Sequence, residues 1–369
     1  ECVLQPYFFS HDDERASCGY YAVTLPDVKI GVELTAAPRT GVHRYTFAGK
    51  GPRQVIVDLL HTVAEEKIDL RELRRTAPAE LAGMRRTQGW VPDQYVFFAA
   101  RFSEPFADVQ LLGDRQAVLT FAPDVRTLTI AVGLSSVSVE NARMNSLAEV
   151  PELDFDAVHA RAVGQWREAL GDITVEGGSR DEMTNFYTAQ YHTKLTPNLM
   201  SDVNGEYPAM ESAEIRTAEG NRYTVFSLWD TYRNLHQLMT LVYPERQLEM
   251  VRSMIGMYKE WGWLPKWELY GRETFTMEGD PSIPVIVDTW MKGLRDFDMD
   301  AAYEAMRKSA TTPGAQNKMR PDIDPYVEKG YVPLGFYARD LSGDNSVSHA
   351  LEYYICLLYT SPSPRDSTS

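Results

Sequence analysis

The hydrophobic period of this chain changes near residue 140, and that change limits the fold more than any other feature. From Tyr7 to about Val139 apolar residues alternate with polar ones, as in Ile30, Val32 and Leu34, and again from His43 to Phe47. Further runs rich in Val, Tyr and Phe lie at Gln54–Leu60, Gln94–Phe102, Val109–Leu112, Ala117–Phe121 and Leu128–Val132, separated by Gly, Pro and Asp turns. Period two sends alternate side chains to opposite faces of a strand. Many short strands at this spacing predict two packed antiparallel sheets, a β-sandwich, over residues 1–150.

Beyond that point apolar residues recur at three and four. Asp154 can cap a helix carrying Val158, Val163, Trp166 and Leu170, read as a helical linker over residues 151–180. Residues 181–357 then read as helices with long loops, at Asp181–Thr196, Thr231–Val242, Pro244–Trp261, Ile283–Leu294, Asp298–Lys308 and Ser346–Leu357. Antiparallel helix pairs with alternately short and long connections suit an α/α toroid, and a plain helical bundle fits the helix count equally. The expected fold class is therefore multidomain β + α. Residues 358–369, with Ser361-Pro-Ser-Pro, are low in complexity and read as a non-native tail.

The stretch from Phe226 to Asp288 carries the chemistry. Pro244 and Glu245 suit a helix start, and Gly262 suits its end. Trp263, Trp267, Glu268, Tyr270, Glu273 and Asp280 crowd the connection that follows. Aromatic rings beside carboxylates match a sugar, which offers an apolar face for stacking and a rim of hydroxyls. A net charge of −15 argues against nucleic acid or an anionic membrane surface as partner, and no apolar run is long enough to span a bilayer. Cys2, Cys18 and Cys356 have no metal-ligand spacing and cannot all pair. The cluster Ser10-His-Asp-Asp-Glu14 offers metal-binding side chains, but consecutive residues cannot all reach one ion, and a polar loop is the favoured reading.

Several blocks, in order, resemble glycoside hydrolase family 92: Phe226-Ser-Leu-Trp-Asp-Thr-Tyr-Arg233, Tyr243-Pro-Glu-Arg246, Leu264-Pro-Lys-Trp-Glu268, Gly271-Arg-Glu-Thr274 and Gly279-Asp-Pro-Ser-Ile-Pro-Val-Ile286. The resemblance runs from about Phe9 to Tyr354. It implies an N-terminal β-sandwich followed by an (α/α)6 barrel, of which roughly half to two-thirds would be present. It also implies a calcium-dependent, inverting, exo-acting α-mannosidase, an α-1,2-mannosidase trimming N-glycan or mannan-type oligosaccharides, secreted, periplasmic or at the cell surface. Arg272 stands where the family pattern has Asn, and Asp280-Pro281 where it has an aromatic and His.

Inverting hydrolysis needs an acid and a base about 6.5–9.5 Å apart. Read without the family, Glu268 and Glu273 are the obvious pair, since burial beside Trp raises a carboxyl pKa. They could equally bind hydroxyls or satisfy loop amides. The resemblance places acid, base and calcium ligands C-terminal to every matched block, so this chain is read as a fragment with no catalytic residue and is itself expected to be inactive. Its expected substrate contacts are Trp229, Asp230, Arg233, Trp267, Glu268, Glu273 and Asp280, for a mannose-terminated glycan. Asp230 could cap its helix or accept sugar hydroxyls, with Arg233 as its ion-pair partner; Trp263 is a further stacking candidate. Two other readings stay open: a carbohydrate-binding or scaffold protein, and another (α/α)6-barrel glycosidase or lyase.

Overall fold

The computed structural model describes residues 7–63, 66–277 and 279–333, so the helix expected at Ser346–Leu357 and the tail at 358–369 lie outside the described residues. The chain divides into two compact units. The first runs to Glu176 and includes Asp202–Glu206; the second comprises Gly177–Ser201 and the chain from Tyr207 on.

The first unit is built from β1 (Glu14–Ser17), β2 (Tyr20–Leu25), β3 (Ile30–Ala36), β4 (Thr40–Phe47), β5 (Gln54–Asp58), β6 (Lys67–Ala77), β7 (Glu80–Gln88), β8 (Gln94–Phe102), β9 (Asp108–Leu112), β10 (Gln116–Thr120) and β11 (Thr127–Ser135), then α1 (Val139–Glu149) and α2 (Phe155–Gly171). Eight strands form one antiparallel sheet in the order β1-β2-β3-β4-β11-β8-β7-β6, and β5-β10-β9 form a second. Alternation decides what lies between them. Leu81, Phe98, Phe102, Leu128 and Ile130 of the large sheet pack with Ala117 and Leu119 of the small one. The expected sandwich is present.

The sequence runs did not reveal β6 and β7. β6 reads Lys-Ile-Asp-Leu-Arg-Glu-Leu-Arg-Arg-Thr-Ala and lies at the sheet edge, where charged side chains disfavour pairing with another chain. Its register against β7 shifts at two points, which breaks the alternation further.

The far face of the large sheet is covered by α1. A Cβ on Gly133 of β11 would lie 2.0 Å from the carbonyl oxygen of Ala142, so only glycine lets the helix approach this closely. Helix α2 starts at the expected Asp154 cap, whose carboxylate accepts the Ala157 amide at 3.0 Å. It belongs to the first unit rather than standing between two bodies, because Phe155 and Val158 bury their side chains with Val42, Ala131 and Val150. The Ser10–Glu14 cluster forms a capped 3-10 turn in which Ser10 and Asp13 satisfy each other.

A buried polar knot closes the first unit. Asp202 accepts hydrogen bonds from Ser135 Oγ at 2.7 Å, Asn141 Nδ2 at 2.8 Å and Asn145 Nδ2 at 2.6 Å. Asn145 returns its own oxygen to the Val203 amide. Replacing Asp202 with alanine would strand the Ser135 hydroxyl and one N–H each of Asn141 and Asn145, whose other bonds go to Glu206 and the Leu134 carbonyl. Each buried polar hydrogen without a partner costs about 1–3 kcal/mol. We expect Asp202→Ala to lower the stability of the first unit by about 3 kcal/mol, read as a fall in its urea midpoint. A change below about 0.5 kcal/mol would show that the knot is solvated.

The second unit begins with α3 (Arg180–His192) and the short strands β12 (Asn198–Leu199), β13 (Glu206–Pro208), β14 (Ile215–Thr217), β15 (Tyr223–Thr224) and β16 (Phe226–Ser227). Then come α4 (Leu228–Thr231), α5 (Leu235–Val242), α6 (Pro244–Trp261), β17 (Trp267–Leu269), β18 (Arg272–Glu273), α7 (Ser282–Met291), α8 (Met299–Thr311) and α9 (Ile323–Lys329). The expected bounds of α6 hold, with Pro244 in the first turn and Gly262 at φ 92° closing the helix. Its burial is wider than one stripe. Met250, Ser253 and Met257 are buried beside Leu248, Val251, Met254 and Ile255, which makes α6 the centre of this unit's core with Ile283, Val285 and Ile286 of α7. The helix expected at Thr231–Val242 is broken after Thr231, and the buried face of α5 is His236, Met239 and Thr240. His236 can turn inward because Thr231 and Gln247 bond its two ring nitrogens; burial lowers its pKa to about 4, so it is neutral.

Candidate functional site

Strand pairing brings the blocks singled out in the sequence together. Phe226 pairs with Glu268 and Ser227 with Trp267, while Glu268 pairs with Glu273 and Leu269 with Arg272, giving the three-stranded sheet β16-β17-β18. Helix α4 leaves this sheet directly, so Trp229 and Asp230 follow the residue that faces Trp267. Several residues around the sheet hold left-handed backbone without being glycine: Glu211, Val225, Tyr270, Phe275 and Met277 have φ between 53° and 65°. Such conformations cost about 1–3 kcal/mol each and persist only where neighbours enforce them.

The two glutamates hold the amides of Val225 and Phe275 directly, and that of Gly271 beside Tyr270. Glu268 is fully buried and accepts from Thr224 Oγ1 at 2.8 Å, the Val225 amide at 3.1 Å and the Gly271 amide at 2.5 Å. Glu273 is 4 % exposed and accepts the amides of Lys266, Trp267 and Phe275 at 2.8, 3.0 and 2.9 Å. Desolvation raises the Glu268 pKa to about 7 against the lowering effect of those bonds, and it raises that of Glu273 as well. Both carboxylates therefore face inward and shape loops. The pKa shift expected of an acid is present, but its cause is burial in a backbone cradle.

The remaining residues divide by exposure. Asp230 is exposed and accepts the Ser227 hydroxyl at 2.5 Å. Arg233 does not take Asp230 as its ion-pair partner. Its guanidinium lies 4.7 Å from the centre of the Trp229 ring and 5.3 Å from that of Tyr232, and its Nε donates to the Trp229 carbonyl. Trp229 is half-buried against the core, and Trp267 is half-buried on β17. Trp263 is buried with the Lys308 ammonium 4.5 Å from its ring centre, which makes it core rather than a stacking surface. Asp280 is 1 % exposed; its Oδ1 accepts from Ser282 Oγ at 3.0 Å, while its Oδ2 has no hydrogen-bond donor among the described residues.

Sequence reasoning missed the ion pair behind this sheet. Arg222 forks onto Glu260 at 3.1 and 2.9 Å, with both side chains under 5 % exposed. Glu260 also accepts the Tyr207 hydroxyl and the Met210 amide. The one signal was Gly256 in mid-helix, where a Cβ would sit 2.5 Å from Arg222 Nη1. Among the described residues no three His, Cys, Asp or Glu side chains are grouped to hold a metal ion.

This arrangement offers two half-buried indoles, an exposed carboxylate that can accept hydroxyls and a guanidinium that can donate. Comparison with known proteins places the chain in a family. Residues 6–136 match the N-terminal domain of glycosyl hydrolase family 92 and residues 141–356 match its catalytic domain. The α-mannosidase BT3965 of Bacteroides thetaiotaomicron superposes with a TM-score of 0.85 at 30% identity, over 95% of this chain and 48% of that one. The inverting mannosidase BT2199 of the same organism gives 0.78 at 30% identity, over 88% and 46%. A curated protein described as an uncharacterized secreted glycosidase, from Arthroderma benhamiae, is 27% identical over 231 residues, 60% of this chain and 26% of its own length. The chain thus spans about half the length of the solved relatives and about a quarter of the curated one. With both family domains matched in order across it, this chain belongs to glycosyl hydrolase family 92.

Proposed function

We propose that this chain forms the N-terminal part of an exo-acting, inverting α-mannosidase that removes α-1,2-linked mannose from N-glycan or mannan-type oligosaccharides. The observation that supports the reading is the sheet β16-β17-β18, which pairs the strand leading into α4, with its Trp229 and Asp230, to the strand carrying Trp267, in the part matched to the family's catalytic domain. The solved complex of BT3965 with mannoimidazole supports a mannose-type ligand. Asp230 accepts hydroxyls of the terminal mannose, Arg233 donates to it, and Trp267 offers a ring face. Glu268 and Glu273 act from behind by fixing the loops, and Asp280 Oδ2 is an acceptor for a sugar hydroxyl. The family resemblance further suggests calcium and secretion; the described residues contain no group suited to the ion, so no step is assigned to them through it.

The test is mannose release from α-1,2-mannobiose, with and without calcium, by a polypeptide extending this chain to the length of its relatives. The reading expects β-mannose as the first product. It also expects a fall in kcat/KM of about 10²-fold in Asp230→Asn, the loss of nearly 3 kcal/mol of transition-state binding. Release of α-mannose first, or activity indifferent to Asp230→Asn, would overturn it.

A further inference from the structure

The first unit holds a cleft of about 1000 Å³ that the glycosidase reading does not use. Its walls are Ile30 and Val32 of β3, Tyr45 and Phe47 of β4, and Gln54, Val55 and Ile56 of β5. No residue of β10 lines it, so it runs along the side of β5 that faces away from that sheet partner. Among the described residues β5 is a sheet edge there.

The direction of the edge groups follows from the pairing. The Arg53 carbonyl accepts the Phe121 amide and the Leu59 amide donates to the Arg115 carbonyl. In an antiparallel pair alternate residues direct both backbone groups to the same side. Arg53, Val55, Val57 and Leu59 are thus bonded towards β10, and Gln54, Ile56 and Asp58 present their N–H and C=O to the open edge. Ile56 is 40% exposed. An open edge of this kind is a template for another strand.

Charge is the second, independent observation. Lys29, Lys50 and Arg53 all line the cleft against a single acid, Asp27. Arg53 is only 8% exposed, and its guanidinium donates to the carbonyls of Val125 and Gly51. Arg39, Arg44, Arg86 and Arg143 of this unit face carboxylates, whereas Arg53, like Arg101 under α1, is held by backbone carbonyls; Arg53 differs from Arg101 in lining the cleft. A buried guanidinium bonded to carbonyls retains its full charge and attracts an anion.

We propose that this cleft receives an extended acidic peptide segment, which adds a strand to the open edge of β5. Its backbone bonds to Gln54 and Ile56, its apolar side chains lie on Ile30, Val32 and Tyr45, and its carboxylate meets Arg53 with Lys29 and Lys50. A saccharide is the poorer fit, because the floor is largely aliphatic and Asp27 is its one carboxylate.

The test uses fluorescence anisotropy with purified residues 1–369 and a labelled Val-Thr-Val-Asp-Val-Thr-Val peptide. Binding at least about tenfold tighter than that of the same peptide with Lys in place of Asp is expected, as close charge pairs at interfaces couple this strongly. Methylating alternate backbone nitrogens of the peptide should abolish binding, since it removes only edge hydrogen bonds. Arg53→Gln and Lys50→Glu should each weaken binding about tenfold; Lys50 is exposed, so its variant tests the idea even where Arg53→Gln fails to fold. Equal binding of the Lys peptide, tolerance of methylation, indifference to Lys50→Glu, binding of trigalacturonate in place of the peptide, or no peptide binding would each overturn the proposal.

Discussion

Replacing Arg222 with methionine is expected to destabilise the helical unit by about 3–5 kcal/mol, the usual loss when one partner of a buried ion pair is removed. The size follows from what is left behind. Glu260 is 3 % exposed on its side chain, so without the guanidinium it is a buried charge held only by the Tyr207 hydroxyl and the Met210 amide. The pair also ties the segment around Tyr207 and Met210 to α6 in the middle of the core. Urea unfolding followed by tryptophan fluorescence measures this well, because Trp229, Trp261, Trp263, Trp267 and Trp290 all lie in the second unit. The double variant Arg222→Met with Glu260→Met should recover much of the loss, since replacing both charges with apolar groups removes the desolvation cost. A loss under about 1 kcal/mol in the single variant would mean that water reaches Glu260.

The stability of the same unit should fall as pH rises from about 5 to about 8. Glu268 has its pKa raised from 4.5 to about 7 by burial. A group whose folded pKa is raised contributes stability that is fully present below the unfolded value and is lost as pH rises through the folded one. A shift of this size corresponds to about 3 kcal/mol. Glu273 shifts in the same direction and adds to the slope. Glu268→Gln cannot ionise, so the variant should show a visibly flatter profile between pH 5 and 8. Its stability should be lower than wild type at pH 5, because the amide nitrogen must face one of the three donors. An identical pH slope in wild type and Glu268→Gln would show that Glu268 is ionised throughout.

The parts of the fold legible in the sequence are those where one periodic pattern meets one environment. β4 and β11 were legible because their large apolar residues Tyr45, Phe47, Leu128 and Ile130 sit at every second position toward the sandwich core, while smaller residues such as Ala131 lie under the helices on the other face. α6 could be bounded because proline and glycine mark its ends. β6 was hidden because an edge strand carries charge where a central strand carries valine. In α5 the buried residues beside Met239 are His236 and Thr240, held by hydrogen bonds rather than by hydrophobicity, which apolar spacing does not reveal.

The same distinction runs through the site. That the blocks at Phe226–Ser227, Trp267–Leu269 and Arg272–Glu273 pair as strands fits the sequence, where each lies in a stretch loaded with aromatic and acidic residues. Which carboxylates face out was not readable. Glu268 and Asp230 look alike in sequence, and only the positions of the Val225 and Gly271 amides separate them. The Arg222–Glu260 pair spans 38 residues and leaves no local signature except Gly256.

Titration of α-1,2-mannobiose into residues 1–369, followed by ligand-observed NMR, tests the central claim most directly. The sugar contacts proposed here give an affinity on the order of millimolar, about 4 kcal/mol. Asp230→Ala should weaken it at least about tenfold, since a lost charged hydrogen bond is worth about 1.5–3 kcal/mol. Its melting temperature should not change, because Asp230 is exposed and its carboxylate accepts from the neighbouring Ser227 hydroxyl. Binding that is unchanged in Asp230→Ala, or no binding of the mannoside by the wild-type chain, would contradict the account.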